Sequence, residues 1–261
     1  MSSTKISDVL PVAEAACIWR LYGFTSPTEL VLEDIALANG VIVVEGRLDS
    51  ADARLIRKGK HGLIRIRADI PEVGRKRFAI AHELGHWLLH ANVSQVLACT
   101  DEDMRAKYKG SVPEIEANFF AAELLMPTKL FAPRVRNARL SMQLVKGLAS
   151  EFQTTLTATA MRVVDLSDDS CAIVVSEDNR VRWWHGSPRF NDVCWIEAGA
   201  DISVDSVAGM IFDGGEVPSG PQEIDATAWL GDSERLERDT MFEDVVAAGR
   251  YGQIISLIWL S

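Results

Sequence analysis

The pattern of apolar and polar residues changes its period several times along the chain, and it predicts a mixed α+β fold. Residues 8–22 carry apolar side chains three and four positions apart, as an amphipathic helix does. A second helix is expected over Thr28–Asn39, because Pro27 stands before it and Gly40 follows it. The apolar run Val41–Val44 then predicts a buried strand.

A β-hairpin and two strong helices are expected next. The segments Ala53–Lys58 and Leu63–Arg67 are joined by a loop with two glycines, which is typical of a hairpin. Residues 75–91 and 113–126 have apolar side chains at helical spacing, and prolines bound the second of these segments. The connection over residues 92–112 is polar and long enough to be functional.

The segments Ser141–Phe152 and 153–164 resemble a helix-turn-helix. The second helix, however, offers a single basic side chain, Arg162, and no basic stripe for phosphates. The pattern therefore favours a packing element that completes the preceding domain. A protein-binding role is the alternative, and reading of DNA is not supported.

The character of the chain changes beyond Asp165. Cys171–Ser176 and Val181–His185 predict a second hairpin, Glu243–Ala248 is expected to form a short helix, and Gln253–Leu260 reads as a closing strand. We therefore expect two domains, residues 1–165 and a smaller α+β domain over residues 166–261 with a sensory or regulatory role.

Composition places the protein among ordinary globular chains. The 261 residues are 48% hydrophobic and 25% charged, which suffices for two modest domains. No apolar run reaches the length of a membrane helix, and the N-terminus lacks a signal-peptide pattern. The four cysteines are scattered and form no CxxC pair. These features predict a cytoplasmic protein with reduced thiols and no membrane partner.

Charge is distributed unevenly. Residues 195–261 hold thirteen acidic side chains against three basic ones, which accounts for the whole net charge of −10. Residues 54–77 carry nine basic side chains against only Asp69 and Glu72. A solvated sheet edge is the favoured interpretation of this basic stretch; the alternative is a positive wall that steers an acidic partner. A nucleic-acid partner is not expected, because the whole chain is acidic and the stretch lacks interleaved aromatic residues.

The strongest chemical signal is an HExxH motif in the helix over residues 75–91. His82 and His86 are four positions apart, so their rings lie on one helix face, where they can bind one Zn²⁺ at ~2.0–2.1 Å. Glu83 projects beside that face and can take a proton from water without binding the metal. Gly85 permits another backbone or a substrate to approach closely. Three of the five histidines, counting His90, lie in this helix, which favours a metal site over an ordinary amphipathic helix.

A metallohydrolase needs a third protein ligand and an open position for water. The histidines outside the motif helix, His61 and His185, are poor candidates, so a carboxylate is expected. In the helix that follows, Glu116 lies on the flank of the apolar stripe and can face a neighbouring helix, whereas Glu114 and Glu123 are expected to face solvent. A motif helix followed by a helix with an inward glutamate is the gluzincin arrangement.

Two blocks of sequence, residues 77–86 and 116–127, closely resemble the ImmA/IrrE family of metallopeptidases. The resemblance covers roughly residues 25–165. It implies a zincin-like peptidase domain, with a small β-sheet and active-site helices. It also implies a ligand set of His82, His86 and Glu116, with Glu83 as the general base.

The resemblance implies a zinc-dependent endopeptidase that makes a specific cut in a cytoplasmic regulatory protein. The expected substrate is a helix-turn-helix transcriptional repressor, and its cleavage would trigger a stress or mobile-element response. Another divalent metal such as Mn²⁺ could replace Zn²⁺. The alternative is a metal-binding sensor module that binds a regulator without cleaving it.

Two finer expectations concern the reaction and the substrate. Tyr108 and His90 are candidates to stabilise the oxyanion. His90 alternatively packs beside the ligands, one turn beyond His86, and supports them without binding the metal. The hairpin over residues 53–67 would offer an exposed strand edge, onto which an extended peptide can add through main-chain hydrogen bonds. The sequence leaves the oligomeric state open.

Overall fold

The computed structural model describes residues 9–49, 51–90, 98–99, 111–230, 240–248 and 252–260. Helices and strands are mixed, and the chain divides into two compact units. The first unit comprises Met1–Thr128 with Ala149–Thr155, and the second comprises Lys129–Leu148 with Leu156–Ser261. This division departs from the predicted boundary between residues 165 and 166, because the last helix before that boundary packs on the sheet of the second unit.

The first unit places helices around a four-stranded sheet. Its elements are α1 (Val9–Tyr22), a 3₁₀ turn (Pro27–Glu29), α2 (Leu32–Ala38), β1 (Val41–Gly46), β2 (Ala53–Lys58), β3 (His61–Arg67), α3 (Val73–Leu89), β4 (Ala98–Cys99) and α4 (Val112–Leu125). The strand order is β1-β3-β2-β4; β1 runs parallel to β3, and the other pairs are antiparallel. The predicted hairpin and the two predicted helices beside it are therefore confirmed.

The single helix predicted over Thr28–Asn39 is wrong, because the chain breaks it in two. The Glu29 side chain accepts a hydrogen bond from the backbone N–H of Ser26 in a capping box, which closes a short 3₁₀ turn. Leu30 then leaves helical geometry with ψ 89° before α2 begins. The C-terminal limit was predicted correctly, since Gly40 takes φ 79° directly after the helix.

Strand β1 is an edge strand and is not buried throughout, contrary to expectation. Val41 is fully buried, but Ile42 on the opposite face is 56% exposed. Helix α2 packs against β1, whereas α3 packs against β2 and β3. A Cβ at Gly62, the partner of Val41 in β3, would lie 3.0 Å from the Trp87 ring of α3.

The second unit contains a five-stranded antiparallel sheet of order β6-β5-β9-β8-β7. Its strands are β5 (Cys171–Glu177), β6 (Arg180–Gly186), β7 (Gln222–Asp225), β8 (Thr240–Ala248) and β9 (Gln253–Leu260). The helices that follow α4 along the chain are α5 (Thr128–Arg136), α6 (Met142–Phe152), α7 (Leu156–Leu166), α8 (Pro188–Asn191), α9 (Val207–Phe212) and α10 (Thr227–Leu230). The predicted hairpin after Asp165 and the closing strand are confirmed.

The short helix predicted over Glu243–Ala248 is wrong, because these residues belong to β8. The strand pairs along its length with β9, from Met241 opposite Leu260 to Ala248 opposite Gln253. Long-range pairing outweighs the helix preference of a few glutamate and alanine residues.

Helices α6 and α7 form the predicted helix–turn–helix shape around Gln153, which takes φ 53°. Arg162, the single basic side chain that α7 could offer to a groove, is only 9% exposed. This burial agrees with a packing element. None of the helices in the described part of the chain has the length and apolar content needed to cross a membrane.

Candidate metal centre

Helix α3 presents the HExxH residues at the interior of the first unit. His82 and Glu83 are fully buried, and His86 is 1% exposed. The helix can bury these polar residues because α4 packs closely against it at Gly85. A Cβ on Gly85 would lie 3.1 Å from the Cα of Ala117, so a larger residue would force the two helices apart. The close approach predicted for Gly85 is therefore confirmed.

Three side chains converge between α3 and α4. The Nε2 atoms of His82 and His86 lie 3.0 Å apart, with their rings at 76° to one another. The carboxylate of Glu114 faces both rings: Oε2 lies 3.2 Å from Nε2 of His82, and Oε1 lies 3.3 Å from Nε2 of His86. We call His82, His86 and Glu114 the donor triad.

Glu116, the predicted third ligand, lies elsewhere. Its Oε2 atom is 2.9 Å from Nε2 of His90, one turn beyond His86. The reason is helical geometry, since two positions along a helix correspond to about 200° of rotation. Glu114 and Asn118, four positions apart, share the face of α4 that meets the histidines. The expectation that Glu114 faces solvent was wrong, because its side chain is only 16% exposed.

The donor triad has the dimensions of a metal site. Three ligands at ~2.0–2.2 Å from a tetrahedral ion stand about 3.3–3.5 Å apart. The two Nε2 atoms are 3.0 Å apart, and each lies 3.2 or 3.3 Å from its nearer oxygen of Glu114, which is close to these values. Two imidazoles and one carboxylate are also a ligand set that suits a divalent transition metal. The residues therefore fit the metal that the motif implies.

The protonation states of Glu114 and His86 suit a cation. Burial raises the pKa of the Glu114 carboxyl, but hydrogen bonds from His82 and His86 lower it by more, so this pKa lies well below its ordinary value. Burial lowers the pKa of His86, although the neighbouring Glu114 opposes the shift. At neutral pH the glutamate is ionised and His86 is neutral, which are the forms that bind a metal ion.

The Nδ1 atoms of His82 and His86 each contact a polar atom on the side of the ring away from the donor triad. Nδ1 of His82 lies 2.9 Å from Oδ1 of Asn118, and Nδ1 of His86 lies 3.1 Å from Nδ1 of His90. His90 therefore stands on the Nδ1 side of the His86 ring, whereas the donor triad converges on the Nε2 side. This placement favours support of the His86 ring over stabilisation of the oxyanion as the role of His90. Tyr108, the other oxyanion candidate, lies outside the described residues.

Sequence reasoning missed Glu114 and Asn118, although a signal for both was present. The two residues are spaced four apart on α4, as the two histidines are on α3, and polar residues at that spacing share a helix face. Glu123 was also expected to face solvent. It is 5% exposed and accepts hydrogen bonds from the backbone N–H and the hydroxyl of Thr128.

Several residues of the basic stretch are bound within the first unit. The carboxylate of Asp52, 1% exposed, pairs with the Nη2 atoms of Arg67 and Arg75, each at 2.9 Å from Oδ1. The Arg57 guanidinium lies 3.7 Å from the centroid of the Trp87 ring and donates to the Trp87 carbonyl at 2.6 Å. These side chains hold the sheet and α3 together.

Two further basic residues have identified partners. Lys76 pairs with Glu45 at 2.7 Å, and Arg77 donates to the Leu30 carbonyl at 3.1 Å. The exposed members of the stretch include Lys58, Lys60 and Arg65. Much of the basic stretch, for which a positive wall was the alternative interpretation, therefore stabilises the fold.

Comparisons with known proteins agree with this geometry. Residues 38–164 match the family model Peptidase M78, described as the IrrE N-terminal-like domain, which confirms the resemblance seen in the two sequence blocks. No curated protein matches the chain. Among the solved structures that match, a Mycobacterium tuberculosis transcriptional regulator shares 12% identity and a TM-score of 0.59, over 96% of this chain and 76% of its own. That likeness shows a shared fold.

Proposed function

We propose, from the premise that residues 38–164 are a domain of the Peptidase M78 family, that this protein is a zinc-dependent endopeptidase. One observation carries the proposal: His82, His86 and Glu114 converge in the geometry of a metal site, beside the buried Glu83. The cut would fall in a cytoplasmic regulatory protein.

A zinc ion at the donor triad would supply Lewis-acid chemistry, lowering the pKa of a water molecule and polarising the peptide carbonyl. Glu83 is the residue that moves the proton. One of its carboxylate oxygens would take the proton from the attacking water and later deliver it to the leaving amine nitrogen. The burial of Glu83 and His82 excludes competing water and strengthens the electrostatic interactions of both side chains.

The edge of β2 supports recognition of an extended peptide. Strand β3 pairs with one side of β2 along its whole length. On the other side β4 pairs only with Ala53 and Arg54, so among the described residues no strand occupies that side from Leu55 to Lys58. Helix α3, which carries His82 and His86 of the donor triad, packs against the same strand. A substrate segment could therefore add to this edge through main-chain hydrogen bonds and reach the site.

We infer a transcriptional repressor as the substrate. The similar fold of a protein described as a transcriptional regulator supports a role in transcription, and cleavage would then release a stress or mobile-element response. For the acidic second unit we retain a sensory or regulatory role, supported by the exposed apolar side chains of Trp195, Val204 and Val193.

The alternative is a metal-binding module that holds a regulator without cutting it. Substituting Glu83→Gln separates the two functions, because it removes the proton acceptor and leaves the donor triad intact. We expect unchanged zinc content and no cleavage. Glu216→Gln, at an exposed glutamate, is the matched control and should cleave normally.

The assay is incubation of the zinc-loaded full chain with candidate repressors, followed by mass spectrometry. One specific cut, lost with chelator and with Glu83→Gln, would support the peptidase. Binding of a repressor without any cut by the zinc-loaded wild type would favour the alternative instead.

A further inference from the structure

Two successive side-chain contacts connect His86 of the donor triad to His90 and then to Glu116. Nδ1 of His86 lies 3.1 Å from Nδ1 of His90, and Nε2 of His90 lies 2.9 Å from Oε2 of Glu116. The three side chains become more exposed along the chain, with 1% of His86, 8% of His90 and 24% of Glu116 accessible to solvent. The order of contacts is therefore His86, His90, Glu116, from the interior outward.

The chemistry of each member fixes the direction of every hydrogen bond. A neutral imidazole carries one proton, so one ring nitrogen donates and the other accepts. When Nε2 of His86 gives its lone pair to a metal ion, the proton of His86 must lie on Nδ1. Nδ1 of His90 must then accept, which places the proton of His90 on Nε2.

The contact between His90 and Glu116 agrees with these hydrogen-bond directions. An ionised carboxylate only accepts hydrogen bonds, so Glu116 receives the proton of His90 Nε2 and cannot reverse the direction. With His90 in its other tautomer, Nε2 of His90 and Oε2 of Glu116 would be two acceptors 2.9 Å apart. That arrangement is unfavourable, and the carboxylate therefore selects one tautomer of His90 and, through it, one tautomer of His86.

We propose that Glu116 and His90 are positioning residues of the metal site. Together they hold the proton of His86 on Nδ1 and direct its Nε2 lone pair toward the donor triad. The proposal rests on the proposed function, since it requires a metal ion at the triad. It gives Glu116 a role other than direct ligation, and it gives His90 a role that sequence spacing alone left undecided.

The two histidine ligands are supported differently. His82 contacts the neutral amide of Asn118 directly, whereas His86 is joined to a carboxylate through a second imidazole. A carboxylate at the end of such a chain increases the basicity of the ligand nitrogen. We therefore expect metal affinity to depend on Glu116 even though Glu116 does not touch the metal.

Zinc affinity of the full chain tests this inference. The apoprotein is titrated with Zn²⁺ against a competing chromophoric chelator, for the wild type, His90→Phe, Glu116→Leu and Glu116→Gln. Loss of the hydrogen bonds that join His86, His90 and Glu116 should weaken zinc binding by about 10- to 100-fold in His90→Phe and Glu116→Leu. Glu116→Gln should lie between these variants and the wild type, because its carbonyl still accepts from His90 but carries no charge.

His61→Phe is the matched control, since His61 is an exposed histidine of β3, and its zinc affinity should equal that of the wild type. Thermal melting of each apoprotein verifies folding. Should a variant fail to fold, ¹⁵N histidine NMR of the zinc-loaded wild type decides instead. A proton on Nε2 of His90 supports the inference, and a proton on Nδ1 overturns it.

The outcomes separate this inference from the function on which it rests. If wild type and His86→Ala bind zinc equally, the proposed metal site fails, and the inference fails with it. If His86→Ala loses zinc while His90→Phe and Glu116→Leu match the wild type, only the positioning role is overturned. If Glu116→Leu loses zinc as completely as His86→Ala, Glu116 is a ligand, and the positioning role is again overturned.

Discussion

Glu114 of the first unit and Glu243 of the second are both glutamates turned into the interior, yet they have different neighbours. Glu243 is fully buried, and its oxygens accept four hydrogen bonds at 2.8–3.2 Å. The donors are the backbone amides of Val207 and Ala208, the Trp229 indole and the Ser256 hydroxyl. Burial raises the pKa of Glu243, and the four donors offset only part of that effect. The pKa of Glu114 is lowered instead.

The comparison shows that burial alone does not identify a functional carboxylate. The two backbone amides that donate to Glu243 belong to the first residues of helix α9. This carboxylate therefore caps the helix and holds it to the sheet. Glu114 faces two imidazole nitrogens, each of which can give its lone pair to a metal ion when the imidazole is neutral. The chemistry of the neighbouring atoms, more than the degree of burial, distinguishes a metal site from a structural cap.

The largest expected effect is that of Glu114→Ala. Removal of one of three protein ligands should abolish stoichiometric zinc binding and peptidase activity, while the fold is retained. Metal content after dialysis, with thermal melting of the same sample, measures both properties. Glu116→Ala is the comparison variant and should retain bound zinc with weaker affinity. A Glu114→Ala protein with full zinc content would show that the two glutamates do not differ as described.

Glu243→Ala should affect stability and leave metal binding unchanged. The substitution strands four buried donors, and we expect a loss of about 3 kcal/mol or more of unfolding free energy. Urea unfolding followed by fluorescence measures this loss, and a zinc titration of the folded variant should match the wild type. A stability unchanged within error would contradict the capping role of Glu243.

Gly85→Ala is a milder test of the metal site. The added methyl group would lie 3.1 Å from the Ala117 Cα and the Phe120 ring, so α3 and α4 must separate at a cost of about 1–3 kcal/mol. Zinc affinity should fall as well, because Glu114 lies on the displaced helix. Gly147→Ala is the matched control: its Cβ meets no atom within 4 Å, and it should stabilise α6 by about 0.5–1 kcal/mol. If the two variants had the same melting temperature and the same zinc affinity, the close contact of α3 and α4 at Gly85 would not be needed for stability or for the metal site.

The smallest expected effect is a pH dependence that arises from Glu243. Its pKa is raised above the ordinary 4.5 in the folded state, so the unfolded chain loses this proton first as pH increases. The stability associated with the protonated form is complete below 4.5 and is lost as pH rises through the higher folded pKa. The unfolding free energy of the wild type should therefore fall relative to that of Glu243→Gln as pH rises through this window. A constant difference from pH 4 to 8 would contradict the raised pKa.

The sequence was informative where local spacing decides the structure. The spacing of the two histidines placed them on one face of the helix. The glycine-bearing loop at residues 59–62 and the polar turn at residues 177–180 indicated the two hairpins. The third donor could not be chosen in this way. Helix α4 buries Ala117, Phe120, Leu124 and Leu125 on several faces, so its apolar stripe does not indicate which face meets α3. The choice between Glu114 and Glu116 therefore depends on tertiary packing.

The error at Glu243–Ala248 has the same origin. The segment is short, and its glutamate and alanine residues favour a helix locally, but pairing with β9 and the contacts of Glu243 with distant donors place it in the sheet. In both cases the information lies in residues far apart along the chain. A single sequence does not reveal which of them meet.

The most direct test of the metal site is anomalous diffraction from crystals of the zinc-loaded protein, recorded at the zinc absorption edge. The account predicts one strong peak within about 2.0–2.2 Å of Nε2 of His82, Nε2 of His86 and a carboxylate oxygen of Glu114. Glu116 should stand apart from the peak, in contact with His90. A peak bound by Glu116 in place of Glu114, or no peak at the two histidines, would contradict it.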